Sequence, residues 1–366
     1  EEYTSILGSD KVRNSANAIT VASNATFDNT AASSFEQTLN GKIPGLHIVE
    51  QSGMPGHNAW VNLRGISSIN ARNEPLLFID GMIHEIGFEK NSIIEGHVLN
   101  PMDLIDVDDI VDVSVIKTGE GYLGSAGSNG VLSINTEQNK VTSSNIIFKA
   151  YGGVAFPNLN QDVMNAGQFK SYFRDLYASD PSNVEPIDTR YPWLNGTPAS
   201  SDQYYRFNNN TDWQKEMGRP SAMQKYYVFI KGGDDIATYN ISTGYMRQGA
   251  AYDKWVGSRY NLRLNGIVNI TNKLSVVPNI KLALTENKLS NTGSIIERNP
   301  VIASLLKPSL MTMHTRAVDG NYLYPYDNAG DPNDPFKVSN PAVLIDDALG
   351  KTRDFQTMAS VKIGYY

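Results

Sequence analysis

From residue 145 to the end of the chain, apolar and polar side chains alternate with a period of two in six separate stretches. Ile146, Phe148 and Ala150 share one face, opposite Ile147, Lys149 and Tyr151. Tyr239, Ile241, Thr243 and Tyr245 oppose Thr238, Asn240, Ser242 and Gly244, while Tyr260, Leu262 and Leu264 oppose Asn261, Arg263 and Asn265. Leu274, Val276, Ile280, Leu282 and Leu284 make a further apolar face, as do Phe355, Thr357, Ala359, Val361, Ile363 and Tyr365. Residues 226–231 complete the set and run into Gly232-Gly233-Asp234-Asp235, a hairpin turn by composition. Successive side chains of a strand point to opposite faces, so this period predicts strands with one apolar side. Stretches of about ten residues suit tilted strands crossing a bilayer.

The connections sort by length. If the strands run up and down, residues 154–223, 249–258 and 286–354 fall at one end and two tight turns at the other. Short turns opposite extended loops is the sorting of outer-membrane barrels.

The first half reads differently. Residues 1–32 are rich in Ser, Asn, Thr and Ala and read as an extended arm. A short helix follows, with Ser33 and Glu36 at capping-box spacing, Phe35 and Leu39 one turn apart and Gly41 as the stop. Strands are expected at 46–50, 60–63, 76–79, 110–117 and 131–135, giving a small α+β domain over 33–138 and strands over 145–366. A buried-looking Arg64-Gly65 corner precedes the apolar run Leu76-Leu77-Phe78-Ile79, which ends in Asp80-Gly81. Arg64 offers a fork of donors, and Arg64 and Asp80 are expected to pair within this domain or with the strands that follow.

Composition narrows the chemistry. No Cys occurs, so thiolate nucleophiles and thiolate metal sites are excluded, and a net charge of -7 without a Lys/Arg cluster argues against nucleic acid. No apolar run reaches the roughly 18 residues of a membrane-spanning helix. Gly119-Glu120-Gly121-Tyr122-Leu123-Gly124 matches a dinucleotide fingerprint, but another glycine-rich turn and a strand follow, not the helix that would hold a pyrophosphate. The five histidines lack ligand spacing, and no G-x-S-x-G occurs. Asp103, Asp106, Asp108, Asp109 and Asp112 lack the calcium-loop pattern and read as a helix start with an exposed strand face. Asp327, Asp331 and Asp334 lie in an expected outer loop. The expectation is a chain with no catalytic centre, cofactor or metal.

Five ordered segments carry a resemblance: residues 35–49, Ser52-Gly53-Met54-Pro55-Gly56, residues 62–81, Asn100-Pro101-Met102-Asp103, and Ser128-Asn129-Gly130 leading into 131–134. Together they resemble the plug domain of TonB-dependent outer-membrane transporters, closest to the SusC-like branch. The branch's Lys-Asp-Ala and Tyr-Gly-Ser-Arg stretches are altered here to Lys117-Thr118-Gly119 and Tyr122-Leu123-Gly124-Ser125. The resemblance implies an α+β plug followed by antiparallel barrel strands, and TonB-dependent import of oligosaccharides or oligopeptides. It implies three partners: a SusD-like surface lipoprotein, the TonB energising complex and outer-membrane lipids. The rival function is a non-transporting receptor or scaffold in a larger outer-membrane assembly. Tyr3, Thr4, Ser5, Ile6 and Leu7 stand where the family carries its TonB box, and Arg64, Gly65, Asp80, Gly81, Asn100, Pro101, Asp103, Asn129 and Gly130 carry the plug motif. Trp193, Tyr204, Tyr205, Trp213, Tyr322, Tyr324 and Tyr326 are the aromatic ligand-contact candidates. A wall around such a plug needs on the order of twenty strands, so a further barrel segment or chain is expected to complete it.

Overall fold

The computed structural model describes residues 2–5, 8–23, 32–50, 52–84, 94, 96–118, 121–138, 143–158, 161–195, 202–293, 295, 298–317, 319, 321–326, 336–346 and 349–365. Strands β1 (Glu2–Ser5) and β2 (Gly8–Lys11) form a hairpin, and β3 (Ile19–Ser23) follows. Helix α1 (Phe35–Leu39) leads into the β4 (Leu46–Glu50) and β5 (Ala59–Leu63) hairpin. Next come β6 (Leu76–Ile79), β7 (Met82–His84), β8 (Ile110–Ile116) and β9 (Val131–Thr136). These four join β3 in a sheet ordered β3-β8-β9-β6-β7, in which β6 and β9 run parallel.

Two readings shift here. The described part of the arm over 1–32 is built into the fold: β1 and β2 pair with each other, and β3 pairs with β8 from Ile19 opposite Ile116 to Ser23 opposite Asp112. Ile19 and Val21 are β-branched and alternate, which suits the edge of a half-buried sheet. The helix cap also moves by one residue. Ser34, not Ser33, is the N-cap and accepts from Gln37 N, while Gln37 Oε1 accepts from Ser33 N at 2.8 Å. Glu36 is thereby released from capping and is buried.

The sheet is covered on both faces, which is why β8 buries Val113, Ser114, Val115 and Ile116 alike. Val113, Val115, Leu77, Ile79, Leu132 and Ile134 pack against α1 and the β4–β5 hairpin. On the other face Phe78, Ile116 and Val131 meet Tyr3, Ile19, Leu76 and Leu123.

The second half is a six-stranded antiparallel sheet in chain order. It begins with β10 (Asn145–Ala155), β11 (Ser221–Gly233), β12 (Ala237–Gly249), β13 (Val256–Thr271) and β14 (Leu274–Ser290). Between β10 and β11 lie α2 (Ala166–Ser179), α3 (Ile187–Arg190), α4 (Asp202–Phe207) and α5 (Trp213–Met217). After β14 come α6 (Pro300–Leu306), the β15 (His314–Arg316) and β16 (Tyr322–Tyr326) pair, α7 (Pro341–Asp346) and the last strand, β17 (Leu349–Tyr365). Both long connections and the 249–256 turn leave the same end of the sheet, as their lengths had indicated.

Register explains the alternation. Ile146, Ile230, Ile241, Leu264, Ile280 and Ala359 stand opposite one another across all six strands, on the face turned away from the plug. A second row, Tyr226, Tyr245, Tyr260, Leu284 and Phe355, lies toward the long-loop end. Its tyrosine ring centroids are 6.4 and 4.9 Å apart, a row of the kind that sits at headgroup level. From Phe355 to Tyr365 the outward residues of β17 extend over ~33 Å of strand, or ~25 Å of bilayer normal at the usual tilt. Among the described residues the sheet does not close, and β10 and β17 remain its edges. Ile241→Arg is expected to cost about 2–4 kcal/mol at the middle of this apolar face. Urea midpoints in lipid vesicles, compared with an arginine at the polar Asn272 turn, measure it.

Candidate functional site at the plug–wall seam

The inward face of the six strands is polar because the same alternation that turns apolar residues to lipid turns the others to the plug. Asp80 leaves β6 with a left-handed φ of 50°. Its carboxylate accepts from Thr136 N at 2.8 Å, Thr136 Oγ1 at 2.7 Å and Asn279 Nδ2 at 2.9 Å, and it pairs with the Lys281 ammonium of β14. Burial pushes this carboxyl up, but Lys281 and the hydrogen bonds outweigh it and hold it below the usual carboxylate range.

The acidic run supplies the rest. Asn100 caps a 3-10 turn over Pro101–Leu104 by accepting from Met102 N, which presents Asp103 to the wall. Asp103 takes Arg259 Nη1 at 2.7 Å, and its own carbonyl accepts from Asn261 Nδ2 at 2.7 Å. Lys225 of β11 reaches Asp106 at 2.7 Å and Asp108 at 2.5 Å. Asp109 meets Arg263 Nη2 at 3.0 Å and accepts from Tyr227 Oη at 2.8 Å. Burial raises the Asp109 carboxyl, and the Arg263 guanidinium pulls it back only in part. Asp103, Asp106 and Asp109 are all buried, so the helix start is present but the exposed strand face is not. They sit inside because each has a cation across the seam.

Two glycines of the wall let the plug come this close. A Cβ on Gly244 would stand 2.6 Å from Asp106 Oδ2, and one on Gly257 would stand 2.4 Å from Pro55 Cβ. The end of β9 is clamped as well: the Glu137 carbonyl accepts from Asn240, Arg263 and Asn265 at 3.1, 2.7 and 2.9 Å.

The other sequence candidates divide. Arg64 is exposed, not buried; it follows β5 with φ 65°, and its backbone N–H donates to Gly45 O. The corner turns the chain outward, so its guanidinium stays in solvent and does not join Asp80. Asn129 ties the loop after Gly65, accepting from Ser67 Oγ at 2.8 Å and donating to Arg72 O at 2.6 Å. Gly65, Gly81 and Gly130 all have positive φ. Tyr3, Thr4 and Ser5 lie in β1, folded back onto β2, with Tyr3 against the Phe78 cluster; Ile6 and Leu7 lie outside the described residues.

Trp193 and Trp213 are buried with Leu194, Phe207, Leu310 and Met311 in a core shared by the two long connections. Trp213 Nε1 donates to Pro308 O. These two rings pack loop on loop, and neither offers a face to a ligand. Tyr204 and Tyr205 are half-buried. Tyr322, Tyr324 and Tyr326 belong to β16, but their side chains, like residues 327–335, lie outside the described residues. A recess of about 730 Å³ opens at the long-loop end between plug and wall, lined by Ser52, His57, Asn158, Tyr252, Trp255 and Asn299 among others. Sequence reading missed Lys225, Arg259, Arg263 and Lys281. Their signal was a cation on the polar side of an apolar-faced strand.

Comparison with known proteins fits this architecture. Residues 11–131 match the TonB-dependent Receptor Plug Domain family model. TonB-dependent receptor SusC of Bacteroides thetaiotaomicron is 27% identical over 266 residues, covering 71% of this chain and 24% of that protein. TonB-dependent receptor P3 of Formosa agariphila is 26% identical over 250 residues, covering 68% of this chain and 21% of that one. The chain thus spans about a quarter of the length of the curated relatives it matches. Among solved structures, the RagAB peptide importer in its closed-closed state shares the fold at a TM-score of 0.72 and 18% identity, over 96% of this chain and 39% of that one. Plug motif, seam and wall agree with these relatives: residues 11–131 carry a TonB-dependent receptor plug domain, and the chain as a whole is similar to the SusC-like TonB-dependent receptors.

Proposed function

We propose that this chain serves TonB-dependent import of oligosaccharides or oligopeptides across the outer membrane, working with a SusD-like surface lipoprotein. The seam supports this reading: along most of its length the plug meets the wall through carboxylates facing Lys and Arg, with a smaller apolar patch of Met54 and Ile94 against Trp255 and Leu289 at the long-loop end. Such contacts can be exchanged for water or for one another, so a stopper held by them can be displaced without unfolding its own apolar centre. Ligand enters the recess at the long-loop end, and force reaches the plug through its N-terminal strands. Docking of the energiser at residues 3–7 would use strand addition, which first requires β1 to leave β2.

The wall can be locked to the plug to test this. A Cβ on Gly244 stands 3.7 Å from Asp106 Cβ, close to the ~3.8 Å of disulfides. The chain has no other Cys. Gly244→Cys with Asp106→Cys in the full-length protein is expected to abolish uptake of labelled oligosaccharide and peptide when oxidised, to leave surface binding intact, and to recover on reduction. Undiminished uptake by a demonstrably cross-linked protein would point to the scaffold reading instead.

A further inference from the structure

Among the described residues, one acid at the seam has no salt bridge of its own. Glu36 of α1 is 2% exposed. Its Oε2 accepts from Asn100 Nδ2 at 3.1 Å, and its Oε1 is buried without a partner. The groups around it come from three elements. Asp103, on the turn, is held by Arg259 Nη1 at 2.7 Å; Arg259, on β13, keeps its Nε buried and unpartnered; and Gln356, on β17, donates to the Asn100 carbonyl at 3.1 Å. Glu50 of β4 accepts from Gln37 rather than facing Glu36, and His84 turns Nε2 to Pro101 O. Glu36 and Asp103 therefore share the buried Arg259 guanidinium, which also feels Asp106, whose own cation is Lys225. With both ionised the cluster carries a net negative charge that burial opposes.

We infer that Glu36 holds a proton while the plug is seated, and that losing this proton to solvent loosens the Asn100–Asp103 contact with the wall. The ionised Oε1 then competes with Asp103 for Arg259, whose spare Nε is the available donor. The inference rests on the seam acting as a movable contact and adds its regulation by pH. Consistently, burial pushes the Glu36 carboxyl up to about 7, with Asp103 adding to the rise and hydrogen bonds from the backbone, Asn100 and Ser34 opposing it. The sign follows from linkage: a carboxyl raised on folding favours the seated plug below its ordinary range and progressively less as the pH rises toward 7.

Hydrogen–deuterium exchange of residues 100–105 in the purified full-length protein tests this, with wild type and Glu36→Gln compared at pH 5 and pH 8. The wild-type to Glu36→Gln rate ratio is expected to rise roughly tenfold to hundredfold between the two. A ratio unchanged with pH overturns the inference. Asp103→Asn removes the Arg259 pair itself; it should speed exchange at both pH values, and equal rates in Asp103→Asn and wild type would show that the contact is not held here. Neither outcome depends on import, so the inference can fail while the import reading stands.

Discussion

Replacing Asp80 with alanine is expected to cost the plug about 3–5 kcal/mol, the usual penalty for removing one partner of a buried ion pair. The Lys281 side chain is 1% exposed, so without Asp80 its ammonium is stranded with no compensating solvent. Thr136 loses the acceptor for both its N–H and its hydroxyl, which frees the end of β9. The pair's net worth is smaller than this penalty. Asp80→Ala with Lys281→Met is therefore expected to recover most of the loss, since the charge and its counter-charge leave together. The exposed pair of Arg353 with Glu286 is the control: a side chain 63% exposed makes a contact worth at most ~1 kcal/mol. Guanidinium unfolding of the detergent-solubilised protein, followed by plug hydrogen exchange, separates the three variants. Because the Asp80 carboxyl sits below its ordinary range, its contribution holds at neutral pH and fades only in acid below about pH 4.

Gly130→Ala is the second large effect, at roughly 3 kcal/mol or more. The residue opens β9 with φ 85°, which alone costs an L side chain about 1–3 kcal/mol. A Cβ there would also lie 2.8 Å from the Ile116 carbonyl and 2.4 Å from Leu63 Cδ2. The carbonyl belongs to the β8–β9 ladder and cannot yield without breaking register. Gly81→Ala, with φ 82° and nothing within 4 Å of its Cβ, should show the strain alone. Thermal midpoints of the two variants in parallel distinguish clash from strain, and equal losses would refute the close-packing account.

The outer half was the more legible. Period-two alternation fixes which residues face lipid, and Ile241 and Leu264 stand where the pattern placed them. The plug motifs marked strands correctly, and Asp80 and Asp103 proved to lie at the seam. What sequence hid was pairing across long separations. Arg259 is 156 residues from Asp103, and nothing in either local pattern announces the other. Arg64 misled for the opposite reason: a fork of donors beside a glycine looks like a buried clamp, but its left-handed backbone swings the side chain out. The loop helices were also missed. Trp193 and Trp213 drew attention as aromatics, whereas Leu310 and Met311, the residues that bury them, lie some hundred positions later in plain sequence.

Chain order adds a consequence for biogenesis. Asp80, Asp103, Asp106 and Asp109 leave the ribosome before Lys225, Arg259, Arg263 and Lys281 exist. Until the sheet is laid down, the newborn plug is an acidic body whose own fold supplies few counterions, and water must solvate those carboxylates. Pairing with the strands is what neutralises it, so these carboxylates gain their counter-charges only where the wall stands around the plug.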